Sequence, residues 1–138
     1  MFRIMSFLSC VFFITTSLPV NAANTSPDIL KSKVYLNAMS DEFNKMLPKR
    51  IDKYIELITT MGRYATFTLI YRTVNLTASE AKDINLIEGI KIPSTAFACN
   101  DPVFNDLLQA GVLITVKYVA IDYKNIGIIN ITKENCPS

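Results

Sequence analysis

The chain has 138 residues, of which half are apolar and 19% charged, and its formal net charge is +2. This composition excludes a disordered chain and a polycation that binds nucleic acid. The chain has no histidine, which excludes Ser–His and Cys–His nucleophiles and histidine-ligated zinc. Because phosphate loops, nucleophile elbows and clusters with metal-ligand spacing are also missing from the sequence, it predicts no cofactor and no metal site.

Residues 1–22 have the three-part layout of a signal peptide. Arg3 precedes an apolar run from Ile4 to about Ile14. Pro19 lies between this run and the small residue Ala22, which precedes the expected cleavage point. The apolar run is shorter than the ~20 residues of a transmembrane helix. We therefore expect export to the periplasm or the medium, with residues 23–138 forming one domain without a membrane span.

The three cysteines divide between the signal and the domain. Cys10 lies inside the apolar run, where a lipid anchor is an alternative, but bulky Leu8 precedes it at a position where lipoproteins carry a small residue. Removal of the signal leaves Cys99 and Cys136, and two cysteines in an exported domain most simply form one disulfide. Chain-entropy models give about 4 kcal/mol of stabilisation for a loop of this size.

The first predicted element of the domain is a helix. Ser26, Pro27 and Asp28 form a helix start, because serine caps, proline fits the first turn and aspartate faces the positive end of the dipole. Pro48 ends the helix. Helical spacing places six apolar residues on one face: Ile29, Leu36, Met39, Phe43, Met46 and Leu47.

A β-hairpin is predicted next. Apolar residues alternate with polar ones from Ile51 to Thr60 and again from Tyr64 to Leu76, with Met61-Gly62-Arg63 as the turn. A helix over residues 51–58 is the alternative for the first of these segments.

The second half of the chain predicts two helices and a second hairpin. Thr77 and Glu80 form a capping box, and the helix that they open ends before Pro93. Asp101-Pro102 opens a short helix that ends at Gly111, a left-handed cap residue. Strands 112–121 and 126–132 follow, joined by a turn at residues 122–125. The predicted fold is α+β: an antiparallel sheet of about four strands with helices packed on one face, in the order α-β-β-α-α-β-β, with one disulfide.

Three carboxylate pairs are candidates for acid–base catalysis: Asp41 with Glu42, Asp52 with Glu56, and Asp101 with Asp106. Adjacent residues of a helix point apart, which separates the first pair. The second pair lies about 13 Å apart if both residues occupy one strand, and Asp101 is better explained as a helix cap.

Cations and tyrosines define a possible interaction surface. Four cations surround Pro48, and they constitute either an anion-binding patch or a solvated helix end. Tyrosines of the predicted sheet supply exposed aromatic area. The residues proposed for this surface are Lys45, Lys49, Arg50, Lys53, Tyr71 and Tyr123.

Two stretches of the chain carry a resemblance. One is Asn44-x-x-Leu47-Pro48-x-x-Ile51-Asp52, and the other is Cys99-x-Asp101-x-x-Phe104-x-x-Leu107-Leu108-x-x-Gly111, which is followed by Tyr118, Asp122 and Cys136. Together they resemble a group of small exported proteobacterial proteins of unknown function that end in a cysteine-bounded helix and hairpin. The resemblance implies export, one disulfide and an α+β fold, and it carries over no catalytic residue.

Three functions are compatible with these observations. The leading hypothesis is a non-enzymatic exported protein that binds a protein or another envelope component. The second is an accessory subunit of a secretion or conjugation system, with an unpaired sheet edge offered for strand addition. The third is a small hydrolase, which requires two carboxylates to converge at ~5 to 9.5 Å in one cleft.

Overall fold

The computed structural model describes residues 25–137, so the predicted signal peptide and Cys10 lie outside the described residues. Five α-helices and five strands follow one another along the described chain. They are α1 (Pro27–Lys31), α2 (Lys33–Asn44), β1 (Lys49–Arg50), β2 (Ile55–Arg63), β3 (Thr66–Thr73), α3 (Ala78–Asp83), α4 (Leu86–Asn100), α5 (Pro102–Gln109), β4 (Leu113–Val119) and β5 (Asn125–Ile131), followed by a 3-10 turn at Lys133–Asn135. In this part of the chain no helix is both long and apolar enough to cross a membrane.

The strands form one sheet in the order β1-β2-β3-β4-β5. Neighbouring strands are antiparallel except β3 and β4, which pair in parallel with Phe67 opposite Ile114. A parallel pair needs a crossover, and α3, α4 and α5 supply it. The predicted α+β class with one disulfide is confirmed. The sheet has one strand more than expected, and the crossover makes one of its pairings parallel.

The core lies between the helices and one face of the sheet. Strand residues at alternating positions point into it, including Phe67 and Ile114, which are fully buried. Phe43 of α2, Phe67 of β3 and Phe104 of α5 meet at its centre with ring centroids 6.0 to 6.1 Å apart. This aromatic cluster joins α2 and α5 over the sheet.

The N-terminal helix starts where predicted but is broken once. The Ser26 side chain caps α1, and Ser32, in an extended conformation, ends α1 and caps α2 by accepting from Tyr35 N–H at 3.2 Å. Helix α2 ends at Asn44, four residues before Pro48, where the end was predicted. Ile29 of α1 is 52% exposed and Met46, beyond the end of α2, is 69% exposed, so the prediction of one continuous apolar face was wrong for both residues.

The turn of the first hairpin lies two residues later than predicted. Arg63 pairs with Thr66, which leaves Tyr64 and Ala65 as the loop, and Ala65 has a φ of 53°. Gly62 lies inside β2, where a Cβ would stand 2.0 Å from the Leu36 carbonyl oxygen of α2. The glycine therefore permits a close helix–strand contact and does not make a turn. Residues 55–63 form a strand, which decides against the helical alternative for this segment.

The helix predicted to end before Pro93 extends beyond that residue. The chain forms α3, passes through Asn85 with a φ of 51°, and begins a separate helix, α4, that contains Pro93 and runs to Asn100. Proline removes one helix hydrogen bond. Tertiary contacts hold the second half of α4: Ala98 is buried in the core, and the bridge between Cys99 and Cys136 fixes its last turn.

Three local predictions and the disulfide are confirmed. Thr77 and Glu80 form the capping box, with Thr77 N–H donating to the Glu80 carboxylate at 2.8 Å. Asp101 caps α5 by accepting from Val103 and Phe104 N–H at 2.9 and 3.1 Å. Gly111, with a φ of 89°, follows the end of α5.

Candidate functional site

An apolar groove opens between α4 and the turn that joins β1 to β2. It consists of two adjoining clefts of 340 and 430 Å³, which share Asp52, Ile55 and Ile90 in their walls. We call the two together the α4 groove. The remaining residues of the first cleft are Ile51, Leu69, Tyr71, Pro93, Ser94, Phe97, Ala98, Val116 and Tyr118, and those of the second are Tyr54, Thr73, Asn75, Leu76, Ile84 and Leu86.

One wall of the α4 groove is a face of α4. Ile90, Ser94 and Phe97 follow one another at intervals of a helical turn, which brings them to the same side. Phe97 remains 49% exposed, although its ring packs against Phe104 with centroids 5.6 Å apart. An exposed aromatic ring at the mouth of an apolar cleft is available for contact with a further molecule.

The floor of the groove is a stacked pair of tyrosines. Tyr71 of β3 lies opposite Tyr118 of β4 in the parallel ladder, and their rings stack with centroids 5.3 Å apart and planes inclined by 18°. The Tyr118 hydroxyl lies 3.2 Å from the Ser94 hydroxyl. The Tyr71 hydroxyl has no hydrogen-bond partner among the described residues. The floor thus combines aromatic surface with one free hydrogen-bonding group.

Both tyrosines are neutral at physiological pH. Burial, and secondarily the neighbouring Tyr118, raises the pKa of Tyr71 from 10.0 to about 12. Burial also raises the pKa of Tyr118; the hydrogen bond with Ser94 opposes this rise and the charge of Asp52 adds to it. The hydroxyls can therefore donate and accept hydrogen bonds, but they do not act as bases at neutral pH.

The opposite wall is the turn over residues 51–54. One carboxylate oxygen of Asp52 accepts from the N–H groups of Tyr54 and Ile55 at 2.7 and 2.9 Å, which holds the turn in shape. Ile51 and Tyr54 point outward and are 53% and 48% exposed. The turn therefore presents two large, largely apolar side chains on a backbone held by hydrogen bonds to Asp52.

Three of the predicted cations flank this turn. Lys49 and Arg50 form β1, immediately before it, and Lys53 lies inside it with its ammonium 4.7 Å from the centroid of the Tyr54 ring. All three are exposed, and none of them forms an ion pair with a described residue. Lys45 differs, because it is paired with Glu42 at the end of α2.

Tyr123 belongs to a different surface. Its hydroxyl accepts a hydrogen bond from Arg72, whose guanidinium carbon lies 4.9 Å from the Tyr123 ring centroid and which also pairs with Glu56. Arg72 follows Tyr71 on β3, and consecutive strand residues point to opposite faces. Tyr123 therefore lies on the side of the sheet away from the α4 groove.

Most of the carboxylates that the sequence singled out are exposed, ion-paired or used as caps in the structure. Asp41 is exposed and Glu42 is paired with Lys45, while Glu56 is paired with Arg72. The sequence predicted that Asp52 lies on a strand with Glu56. In the structure Asp52 lies in the turn before β2, so the two residues do not share a strand. Asp101 caps α5. In residues 25–137 no group of three or more Cys, Asp or Glu side chains is placed to hold a metal ion.

Four of the six residues proposed for an interaction surface gather around the α4 groove. Tyr71 forms its floor, and Lys49, Arg50 and Lys53 flank its turn wall, whereas Lys45 and Tyr123 lie elsewhere. Sequence reasoning misses the α4 wall, because the sequence predicts that a helix ends before Pro93. The helical spacing of Ile87, Ile90, Ser94 and Phe97 was the signal that could have revealed it.

No family of known proteins and no curated protein matches the chain in sequence. Three solved structures share its fold. A candidate secreted protein of Pseudomonas aeruginosa has 15% sequence identity and a TM-score of 0.67, covering 82% of this chain and 98% of its own. The pilotin EpsS of the Vibrio vulnificus type 2 secretion system has 10% identity and a TM-score of 0.59, covering 77% and 92%. The type II secretion system pilotin AspS of Vibrio cholerae has 12% identity and a TM-score of 0.60, covering 75% and 91%.

These similarities establish a common fold. The predicted resemblance to small exported bacterial proteins is supported at this level, since one of the three is described as secreted and the other two serve a secretion system. At 10% to 15% identity, side chains cannot be carried from one chain to another, so the α4 groove must be interpreted from this chain's own residues.

Proposed function

We propose that the protein is a non-enzymatic, exported accessory protein of a bacterial secretion system, and that it binds a segment of a partner protein in the α4 groove. The predicted signal peptide and disulfide support export. The fold common to two type II secretion pilotins supports the link to secretion. The observation that carries the proposal is the apolar groove itself, with its stacked tyrosine floor and exposed aromatic wall.

The chemistry of the groove favours a peptide segment with large apolar side chains. Ile51, Tyr54 and Phe97 are each about half exposed at its mouth, and burying such side chains stabilises a complex by roughly 25 cal/mol per Å² of apolar area. The free hydroxyl of Tyr71 offers one hydrogen bond inside this apolar surface. A few polar groups in an apolar cleft are typical of sites that fix the orientation of a ligand.

The charge beside the groove favours acidic residues in the same segment. Lys49, Arg50 and Lys53 are exposed and form no ion pair with a described residue, and the Asp52 carboxylate already accepts two backbone N–H groups. Exposed cations of one sign attract an acidic partner and accelerate its association. We therefore expect apolar residues of the partner in the groove and acidic residues against β1.

A binding role is also favoured over hydrolysis by the state of the carboxylates. A hydrolase of the carboxylate class needs one acid with a raised pKa beside a second carboxylate. Glu56 instead pairs with Arg72 on the opposite face of the sheet, and Asp52 shapes a turn. The groove itself is lined mainly by apolar side chains.

Site-directed photo-crosslinking in the native organism tests this proposal. A photoreactive phenylalanine analogue at Ile51 should crosslink one envelope protein, whereas the same analogue at Ile29, which is equally exposed on α1, should not. The crosslinked peptide should contain apolar and acidic residues. Equal labelling from both positions, or no protein product from Ile51, would contradict binding in the groove.

Charge reversal separates the contribution of the flanking cations. The triple variant Lys49→Glu, Arg50→Glu, Lys53→Glu should lose most of the Ile51 crosslink, and raising the ionic strength should weaken the wild-type product. The matched control is Lys33→Glu, Lys82→Glu, Lys133→Glu, which changes three exposed lysines outside the groove by the same total charge. If the two triple variants behave alike, the cations beside the groove do not select the partner.

A further inference from the structure

The two edges of the sheet differ in how well they are protected from pairing with another strand. The β1 edge has two residues, Lys49 and Arg50, both exposed and charged, and Pro48 precedes them. The β5 edge has seven residues, Asn125–Ile131, with the sequence NIGIINI, and contains neither charge nor proline. Natural sheets usually blunt their edges with short strands, charges or proline, and only β1 has these features.

The hydrogen bonds of β4 determine which backbone groups of β5 are free. Leu113 N–H donates to the Ala65 carbonyl at 2.9 Å, so Leu113 directs its backbone groups toward β3. Backbone groups alternate along a strand, and residues 114, 116 and 118 therefore face β5. They pair with residues 131, 129 and 127.

The backbone N–H and C=O groups of Ile128 and Asn130 consequently point away from β4. The register shifts between Tyr118 and Val119, so this alternation does not extend to Ile126, which packs against the core. No strand of the described chain lies on the outer side of β5, and no described residue hydrogen-bonds to the outward groups of Ile128 and Asn130. Two donors and two acceptors thus alternate along an uncharged edge. Such an edge is a template for one further strand.

Exposed apolar side chains flank this edge on both faces of the sheet. Ile128 is 51% exposed on the face away from the helices. On the helix side, Ile92 of α4 is 79% exposed and lines a 360 Å³ cleft with Asn135 and Pro137, just beyond the end of β5. A strand added at β5 would therefore bury apolar area in addition to forming backbone hydrogen bonds.

We propose that β5 pairs with β5 of a second copy of this chain, antiparallel and around a two-fold axis at Ile129. This axis places Ile128 opposite Asn130 of the second copy and Asn130 opposite its Ile128. Because the two outward residues lie symmetrically about Ile129, every free N–H meets a free C=O across the axis. The edge is therefore complementary to itself.

The asymmetry between the two edges makes this association stop at a dimer. Pairing through β5 joins the two five-stranded sheets into one. Each end of the joined sheet is then the charged two-residue β1 and the rest of β2, where Asn44 of α2 binds the backbone groups of Thr60 and α2 packs against Gly62. A two-fold contact of this kind is isologous and closed. A second copy always supplies an uncharged strand whose length and hydrogen-bond pattern match those of β5. The described residues do not specify the sequence of an unrelated extended peptide that would do the same.

Sedimentation velocity on the whole purified protein, with its disulfide intact, tests the proposal. Between about 1 μM and 1 mM we expect the mass to double, because a contact formed by one strand pair is small and weak. Ile128→Pro removes one of the two outward N–H groups, which is not used within the subunit, and should raise the Kd at least about tenfold. Ile128→Lys should also raise the Kd at least about tenfold, and it provides the test if the proline variant does not fold.

The control is Ile29→Lys, which adds the same charge at a residue of equal exposure on α1 and should leave the Kd unchanged. Hydrogen exchange adds a second criterion: raising the concentration should slow the amides of residues 128 and 130 and leave those of 127 and 129 unchanged. A monomer up to about 1 mM, or a dimer that both Ile128 variants leave intact, would overturn the proposal. The outcome is independent of the α4 groove, which lies apart from β5.

Discussion

The side-chain amide of Asn44 binds both backbone groups of Thr60. Its oxygen accepts from Thr60 N–H at 2.8 Å, and its NH₂ group donates to the Thr60 carbonyl at 3.1 Å. Asn44 is the last residue of α2, and Thr60 is a buried residue of β2. Ser40 joins the same cluster by donating to the Thr60 carbonyl at 2.9 Å. The end of α2 is thus attached to the middle of β2, close to the bulge between Leu57 and Thr59.

Replacing Asn44 with alanine should lower the free energy of unfolding by about 2 kcal/mol, because it leaves the buried Thr60 backbone groups with fewer partners. Urea denaturation followed by circular dichroism measures the effect. Asn100→Ala, at an exposed position, is the control and should change stability by less than about 0.5 kcal/mol. Equal effects of the two substitutions would show that the cluster adds nothing to stability.

Gly62→Ala should destabilise the fold strongly. The new Cβ would lie 2.0 Å from the Leu36 carbonyl oxygen, so α2 and β2 must separate, and we expect a loss of about 3 kcal/mol or more. The matched variant is Gly89→Ala, since no atom lies within 4 Å of the added Cβ there. In the helix α4 this change should raise stability by about 0.5 to 1 kcal/mol. Thermal unfolding of both variants decides whether the glycine at 62 is a packing requirement.

Removal of the disulfide should lower stability by about 2 to 4 kcal/mol. The bridge joins Cys99, at the end of α4, to Cys136, beyond β5, across a separation of 37 residues. The double variant Cys99→Ser, Cys136→Ser should therefore unfold at a lower urea concentration than the oxidised protein. The reduced wild-type protein should match the double variant. An unchanged midpoint would mean that packing alone holds the end of α4.

Alkaline pH should destabilise the protein through Tyr71. The pKa of this hydroxyl is about 12 in the folded protein, compared with the ordinary value of 10.0 in the unfolded chain, so ionisation favours the unfolded chain. The stability that the protein gains by keeping the Tyr71 hydroxyl neutral is complete below pH 10 and is lost as the pH rises through about 12. Tyr71→Phe should reduce the loss of stability over this interval, whereas Tyr64→Phe, at a 70% exposed residue, should not. Identical pH profiles for the two variants would contradict a buried Tyr71 hydroxyl.

Local signals in the sequence predicted the ends of several elements correctly. The capping box at Thr77, the cap at Asp101 and the glycine at 111 depend on hydrogen bonds and dihedral angles within a few residues. The alternation of apolar residues likewise predicted strands at β2, β3, β4 and β5. These features need no knowledge of distant parts of the chain.

Gly62 and Pro93 were misinterpreted because their surroundings come from distant segments. The sequence predicts a turn at Gly62, yet α2 passes over this residue. It also predicts a helix end before Pro93, yet the core and the disulfide hold the helix beyond it. The α4 groove was missed for the same reason, since its walls come from residues 51–54 and α4, and its floor from β3 and β4.

The sequence by itself determined the α+β class, the pairing of Cys99 with Cys136 and the cations around Pro48, because composition, periodicity and capping are local properties. Only the tertiary structure decided that β3 and β4 run parallel, that Tyr71 stacks on Tyr118, and that β5 is a free edge. These relationships join residues far apart in the chain. They result from the way in which the helices cross over the sheet to bury their apolar faces, and local patterns do not record that arrangement.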